Sequence, residues 1–210
     1  MKQTNNAIKF LMAQYRAIFK NANIAMVAAM VAAALAAGQA NAAKLEQGGW
    51  ADLAGDKTAG SGGDFESVEI TAKEDSIEVN KNAFTLTITS GSGHFIDGKA
   101  NNKGGFSAAK GSLSIEGKQE AKDTKLTIGK TSGGAVTFND VSITKGSIEV
   151  SKSGSLTATE GLTLGDKSAL SITDSGKVAS GKIELQSGAA VTVTKGELGD
   201  DASNITILDG

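Results

Sequence analysis

The chain has 210 residues, of which 27 are glycine, and it contains no cysteine, no proline and one histidine. A formal net charge of −2 excludes a strongly basic nucleic-acid-binding protein, and a single histidine without cysteine excludes a zinc site built from those ligands. Serine, threonine and aliphatic residues dominate the remainder, a composition that favours short β-strands separated by turns.

Residues 1–42 are predicted to be a secretory signal peptide. The charged residues of this segment are all basic: Lys2, Lys9, Arg16 and Lys20. The apolar stretch 24–37 follows, and Ala40, Asn41 and Ala42 then give the small-x-small pattern that signal peptidase reads. An uncleaved membrane anchor is the alternative, although a span needs roughly 20 apolar residues. We expect export through the Sec translocon and cleavage by signal peptidase before Ala43. The mature chain then has 17 lysines, 23 acidic residues and a net charge near −6. With that charge we expect no nucleic-acid partner.

The first part of the mature chain has no fixed period. Residues 43–64 are rich in Gly, Ala, Ser and Asp, which predicts a flexible lead-in. Residues 65–112 are predicted to form an N-terminal β region or cap, with short strands at 68–70, 77–79 and 84–88. The glycine-rich stretch 91–105, which contains His94, is predicted to be a loop.

Residues 113–210 contain aliphatic–polar–aliphatic triplets that recur about every 21 residues. One set starts at Leu126, Ile148, Leu170 and Val191, a second at Val141, Leu162, Ile183 and Ile205, and a weaker third at Val136, Leu156, Val178 and Leu198. Three short strands in each 21-residue repeat predict a right-handed parallel β-helix, in which equivalent triplets pair and their outer residues form a buried column. A β-sandwich is the alternative, but a sandwich has no reason to keep a fixed interval.

No catalytic residue, cofactor site or metal site is predicted. The polar middle residues of the triplets face solvent, and Glu149 and Glu184 lie on different predicted faces, whereas a glycosidase pair needs carboxyls roughly 5–10 Å apart. His94 has no Ser, Cys or carboxylate partner at a readable spacing and is interpreted as structural or incidental. We therefore expect no enzyme activity. The outward Ser, Thr, Lys and acidic residues are typical of a surface that binds glycans or proteins through many weak contacts, or of a stiff spacer.

Two features resemble type V secreted proteins of Gram-negative bacteria. The long signal peptide carries Phe10, Tyr15 and Phe19 among its basic residues, as do the extended signal peptides of autotransporters. The repeats from Leu113 to Gly210 resemble, in architecture and composition, the passenger region of autotransporter adhesins and filamentous haemagglutinin-like proteins. The resemblance implies a secreted or cell-surface protein of the outer membrane that mediates adhesion, aggregation or biofilm formation by contacting host or bacterial surface glycans or proteins.

The end of the sequence departs from that pattern. A passenger is followed by translocator strands of about 9–11 alternating residues with aromatic girdles, and no such stretch follows Gly161. The last strand, in ITILDG, is predicted to leave a coil uncapped. We expect a truncated passenger, self-association through the open end, or capping by the final strand and turn. A carbohydrate-active β-helix enzyme with its site in further sequence and a self-assembling matrix protein are alternative functions.

Overall fold

The computed structural model describes residues 44–45, 56–60, 65–72, 77–79, 84–99, 104–199 and 204–208. Contacts within the chain divide it into two units, and every described residue lies in the second, Ala42–Gly210. The described residues form strands and turns and contain no helix, which confirms the predicted all-β class. The predicted signal peptide, 1–42, lies outside the described residues.

Seventeen strands are described. In chain order they are β1 (Lys44–Leu45), β2 (Lys57–Ala59), β3 (Ser67–Thr71), β4 (Ile77–Glu78), β5 (Thr85–Ile88), β6 (Gly91–Asp97), β7 (Gly105–Glu116), β8 (Thr124–Ile128), β9 (Ala135–Thr144), β10 (Ser147–Val150), β11 (Ser155–Leu164), β12 (Ala169–Thr173), β13 (Lys177–Ser180), β14 (Lys182–Leu185), β15 (Ala190–Thr194), β16 (Glu197–Leu198) and β17 (Asn204–Ile207). All of the pairings between them are parallel.

The first sheet has seven strands in the order β1-β3-β6-β8-β10-β12-β15. The first residues of one predicted set of triplets pair in register across it: Leu126 with Ile148, Ile148 with Leu170, and Leu170 with Val191. Since successive side chains of a strand point to opposite faces, this register also aligns the polar residues between them on the outer face.

The second sheet has ten strands and two parts. The long strands β7, β9 and β11 each contribute two segments, separated by a register shift. The first segments form one part of the sheet, in the order β4-β7-β9-β11-β13-β16. The second segments form the other part, in the order β2-β5-β7-β9-β11-β14-β17. The other two predicted sets of triplets are in register here, one in each part.

Along the chain, a strand of the first sheet is therefore followed by one segment in each part of the second sheet, and the next strand then lies in the first sheet again. This order is compatible with a β-solenoid and does not fit a β-sandwich, whose sheets are antiparallel. From β8 onward the paired residues are 20 to 22 positions apart. Earlier the interval is longer, 26 residues from Ile70 to Ile96 and 32 from Ile96 to Ile128.

The aliphatic side chains that alternate inward form one core. Buried hydrophobic residues run from Ala59 to Ile183, and the ring centroids of Phe106 and Phe138, on neighbouring long strands, are 5.7 Å apart. Each fully buried aliphatic side chain contributes on the order of 1.5–3 kcal/mol. Because a single repeat has no core of its own, that energy is gained only when repeats stack.

The turns between strands bring backbones close together. Gly176 lies at the turn after β12, and a Cβ added there would be 2.3 Å from the carbonyl oxygen of Val150. Several lysines in such turns adopt positive φ, including Lys145 at 51° and Lys167 at 49°. Some turns thus tolerate only glycine, and others hold a lysine in the left-handed region.

The region before residue 113 matches its prediction in part. The expected loop at 91–105 is wrong at residues 91–97, which form β6, and at residue 105, which begins β7. The strands expected at 68–70, 77–79 and 84–88 are confirmed as β3, β4 and β5. Within 43–64, β1 and β2 are described and join the two sheets at β3 and β5.

Candidate functional site

The residues singled out in the sequence do not form one site. Ala40, Ala42 and Ala43, the predicted signal-peptidase positions, lie outside the described residues. Glu149 is on β10 of the first sheet and Glu184 is on β14 of the second sheet, as predicted. Each carboxylate has a lysine beside it, Lys125 for Glu149 and Lys182 for Glu184, so both belong to surface ion pairs.

His94 lies in a strand and is buried, with 2% of its surface exposed. The backbone N–H of Val68 donates to its Nδ1 at 2.9 Å, and its Nε2 is 2.6 Å from the carbonyl oxygen of Ser90. An amide N–H can only donate and a carbonyl can only accept, so Nδ1 is the acceptor and Nε2 carries the proton. The imidazole links β6 to β3 where the pairing of β6 with β8 shifts register. His94 thus makes structural hydrogen bonds, one of the two roles expected from the sequence.

The outer face of the first sheet carries a continuous column of side chains. In register, one residue per strand, this column consists of Glu69, Phe95, Thr127, Glu149, Ser171 and Thr192. Five of the six are polar, and all of them are half-buried or exposed. A regular array of this kind can hydrogen-bond a long ligand at regular intervals, because neighbouring strands are about 4.8 Å apart.

Phe95 is the exception in this column. Among the described residues it is the one aromatic side chain that is not buried; Phe65, Phe84, Phe106 and Phe138 are each at most 3% exposed. Its ring lines an open groove of about 580 Å³ together with Thr71, Asp97, Lys99, Thr131 and Ser132. This groove was not predicted from the sequence, because residues 91–97 form a strand where a loop was expected.

Charges of both signs stand at the groove. The Asp97 side chain is almost fully buried, and its two carboxylate oxygens accept the backbone N–H of Thr131 at 3.1 and 3.2 Å. The Lys130 ammonium lies 4.4 Å from the centroid of the Phe95 ring, a cation–π contact. Ser132 donates to the carbonyl oxygen of Gly98 at 2.8 Å and so holds the strand end after β6 against the turn after β8. These contacts hold the residues that line the groove in place.

The last described strands expose apolar residues. Ile183 of β14 is fully buried, whereas its partner Ile205 of β17 is 51% exposed, and Ile207 is 71% exposed. On β15, Val193 is 44% exposed although its partner Ile172 is fully buried. The difference arises because no further strand among the described residues covers β15 or β17. These residues form an apolar edge suited to pairing with another strand.

The described residues contain no group of three or more His, Asp or Glu that could hold a metal ion. In the same part of the chain there is no helix of the length and hydrophobicity that a membrane crossing requires. In the comparisons with known proteins, the chain matches no protein family, no curated protein and no solved structure.

Proposed function

We propose that this chain is a non-catalytic, exported surface protein of a Gram-negative bacterium that mediates adhesion or aggregation, as in an autotransporter adhesin passenger. In this proposal the two sheets are the faces of a right-handed parallel β-helix with three strands per coil. Its ligands are host or bacterial surface glycans or proteins, and its place is the cell surface or the medium.

The observation that carries the proposal is the polar column on the first sheet. Six strands in register place one outward residue each at a regular interval, from Glu69 to Thr192. Many weak contacts along such a column add up, provided that the ligand is itself extended or repetitive. A rigid core behind the column limits the entropy lost on binding.

The test of adhesion is an aggregation assay. The full chain is expressed in a non-aggregating Gram-negative host, and the cells are followed by sedimentation and by protease treatment of intact cells. We expect accelerated settling and protease-sensitive chain on the outside. If the chain accumulates inside the cells, or is outside and changes neither settling nor attachment to surfaces, the proposal is wrong.

The test of export is the mature N-terminus. Sequencing of the exported chain should begin at Ala43, and Ala42→Arg should block cleavage because signal peptidase requires a small residue before the cut. Asn41→Gln is the matched control, since the middle position of the pattern is not restricted. An uncleaved wild-type chain in the envelope would support a membrane anchor instead.

The apolar edge favours a second role, self-association of the chain. Exposed Ile205 and Ile207 would be covered if β17 paired with a strand of another copy. Sedimentation of the purified chain should then depend on concentration, and the double variant Ile205→Lys, Ile207→Lys should be monomeric. A chain that is monomeric throughout the micromolar range would exclude this role.

A further inference from the structure

We propose that two copies of this chain associate end to end about a two-fold axis at β16, so that β15 of each copy pairs antiparallel with β17 of the other. The proposal rests on the self-association role above and deepens it, because it names the strands that meet, their register and the size of the assembly. It is carried by the place of the exposed apolar residues, by the order of the last three strands and by the neutral sequences of two of them.

The exposed apolar residues lie at one end of the stack. Among the described residues, the large hydrophobic side chains that are exposed are Val193, Ile205, Ile207 and Leu208. At the other end of the second sheet, the inward residues Ala59 of β2 and Ile77 of β4 are both buried. A head-to-tail fibre needs two complementary ends, whereas a single apolar end can be covered by the same end of a second copy. The exposed residues thus favour a closed dimer over a fibre.

The last three strands form a step that a two-fold axis can match. In the proposed β-helix the chain advances by one strand spacing, about 4.8 Å, in each coil, so β16 and β17 stand about one third and two thirds of a spacing beyond β15. An axis at β16 exchanges β15 with β17, so the most advanced strand of one copy meets the least advanced strand of the other. An axis at β17 would leave β15 about two spacings from its nearest strand, and an axis at β15 would make β16 and β17 overlap. The step therefore places the axis at β16.

The apolar residues of the two strands fix the register of the new pairing. Val191 and Val193 continue the inward positions of β12, and Ile205 and Ile207 continue those of β14. Facing strands run antiparallel, because the two copies point in opposite directions along the axis. Val191 then lies opposite Ile207 of the other copy, and Val193 lies opposite Ile205. A slip of two residues would leave a valine and an isoleucine uncovered, and a slip of one would set apolar residues against polar ones.

Charge does not oppose this contact. Neither β15, with the sequence AVTVT, nor β17, with the sequence NITI, contains a charged residue, so no like charges meet along the two new pairings. On β16 the carboxylate of Glu197 already pairs with the ammonium of Lys177 on β13, at 2.7 Å. These strands thus lack the charged side chains by which many sheet edges avoid pairing.

The experiment maps the contact with single cysteines, which the chain permits because it has none of its own. In the proposed register Thr192 of one copy lies opposite Thr206 of the other, with Cα atoms about 4.5–5.5 Å apart, which is within disulfide range. A mixture of Thr192→Cys chains and tagged Thr206→Cys chains should form mixed disulfide dimers about tenfold faster than either variant forms dimers alone. Ser171→Cys, which pairs with Thr192 from the covered strand β12, is the matched control and should form no dimers with either variant.

Sedimentation of the purified chain measures the size of the assembly. The wild-type chain should be a monomer at low concentration, with β15 and β17 uncovered, and a dimer with no larger species as the concentration rises. Val193→Lys should raise the dissociation constant of the dimer about tenfold or more, because it places a charge in an apolar contact. Thr173→Lys, which adds the same charge on the outer face of β12, should leave that constant within about twofold. Circular dichroism establishes that both lysine variants are folded, and the cysteine mixture decides if Val193→Lys is not.

Three results would overturn the inference. Disulfide dimers of Thr192→Cys alone or of Thr206→Cys alone, formed in preference to the mixed dimers, would mean that other strands meet. Species that grow beyond a dimer would mean that the contact does not close. Either result leaves the self-association role standing, whereas a chain that is monomeric at every concentration removes both. Adhesion is decided separately, by the settling of cells that express the chain.

Discussion

The buried column of the first sheet makes a quantitative prediction at Ile148. This residue is fully buried and pairs in register with Leu126 and Leu170. Ile148→Ala removes apolar volume from the middle of the column, where strands on both sides restrict collapse of the cavity. We expect the free energy of unfolding to fall by about 3 kcal/mol, within the 2–5 kcal/mol typical of such truncations. Ser147→Ala, one position earlier and facing outward, should change it by less than about 0.5 kcal/mol.

Urea denaturation followed by circular dichroism measures both variants. The comparison needs an unchanged dependence of the free energy on urea, because stacked repeats can unfold in steps. A midpoint that falls for Ile148→Ala and stays for Ser147→Ala supports the inside–outside assignment. If Ser147→Ala costs as much as Ile148→Ala, or if Ile148→Ala is harmless, the strand faces are assigned wrongly.

Three further predictions concern the turns, a surface ion pair and the last strands. Gly176→Ala should destabilise the chain by about 1–3 kcal/mol because its Cβ would overlap the Val150 carbonyl. Gly181→Ala should not, since the nearest atom to its Cβ would be 3.7 Å away. The urea midpoints of the two variants measure the difference, and equal midpoints would contradict it. A hydrogen bond from Lys122, with its positive charge, lowers the pKa of Glu120, so the contribution of this carboxylate to stability is present above the ordinary glutamate pKa and lost as the pH falls through the lowered value. NMR titration of the Glu120 carboxyl should show a lowered pKa in the wild type and a higher pKa in Lys122→Met. Equal titration curves would mean that the ion pair does not form in solution. Amide hydrogens of β15 and β17 should exchange faster than those of β10 and β12, and equal protection would indicate that another strand covers the apolar edge.

The repeats from β8 onward could be predicted down to single residue pairs. The reason is physical: successive repeats contain nearly equal numbers of residues, so residues 20 to 22 positions apart in the sequence lie side by side on neighbouring strands. Leu126, Ile148 and Leu170 pair as their intervals require.

The earlier repeats escaped the same reasoning because their intervals are longer and unequal. Ile96 and Ile128 pair although 32 residues separate them, and residues 98–104 and 117–123 account for much of the excess. In β6 the usual pattern is also reversed, since His94 points inward and Phe95 outward. The inward His94 is tolerated because both of its ring nitrogens are hydrogen-bonded to backbone groups. These two hydrogen bonds cannot be predicted from the sequence pattern.

The groove could not have been found from spacing alone. Asp97 and Thr131 are 34 positions apart and meet only through the register of β6 with β8. The feature of the sequence that could have indicated the groove is Phe95, an aromatic residue at an outward position of its strand. It becomes informative once the strand that carries it is recognised, because its neighbours in register, Glu69 and Thr127, are polar.

The parallel, in-register stacking of repeats is tested most directly by engineered cysteine pairs, which the chain permits because it has no cysteine of its own. Ser147→Cys with Ala169→Cys places two outward thiols on paired residues of β10 and β12. Their Cα atoms are then about 4.8 Å apart, inside the range in which disulfides form. Ser147→Cys with Ser171→Cys is two residues out of register, at about 8 Å, and lies outside that range. Rapid disulfide formation in the first pair and not in the second is the expected result; equal rates, or a faster second pair, would contradict the stacking of the repeats.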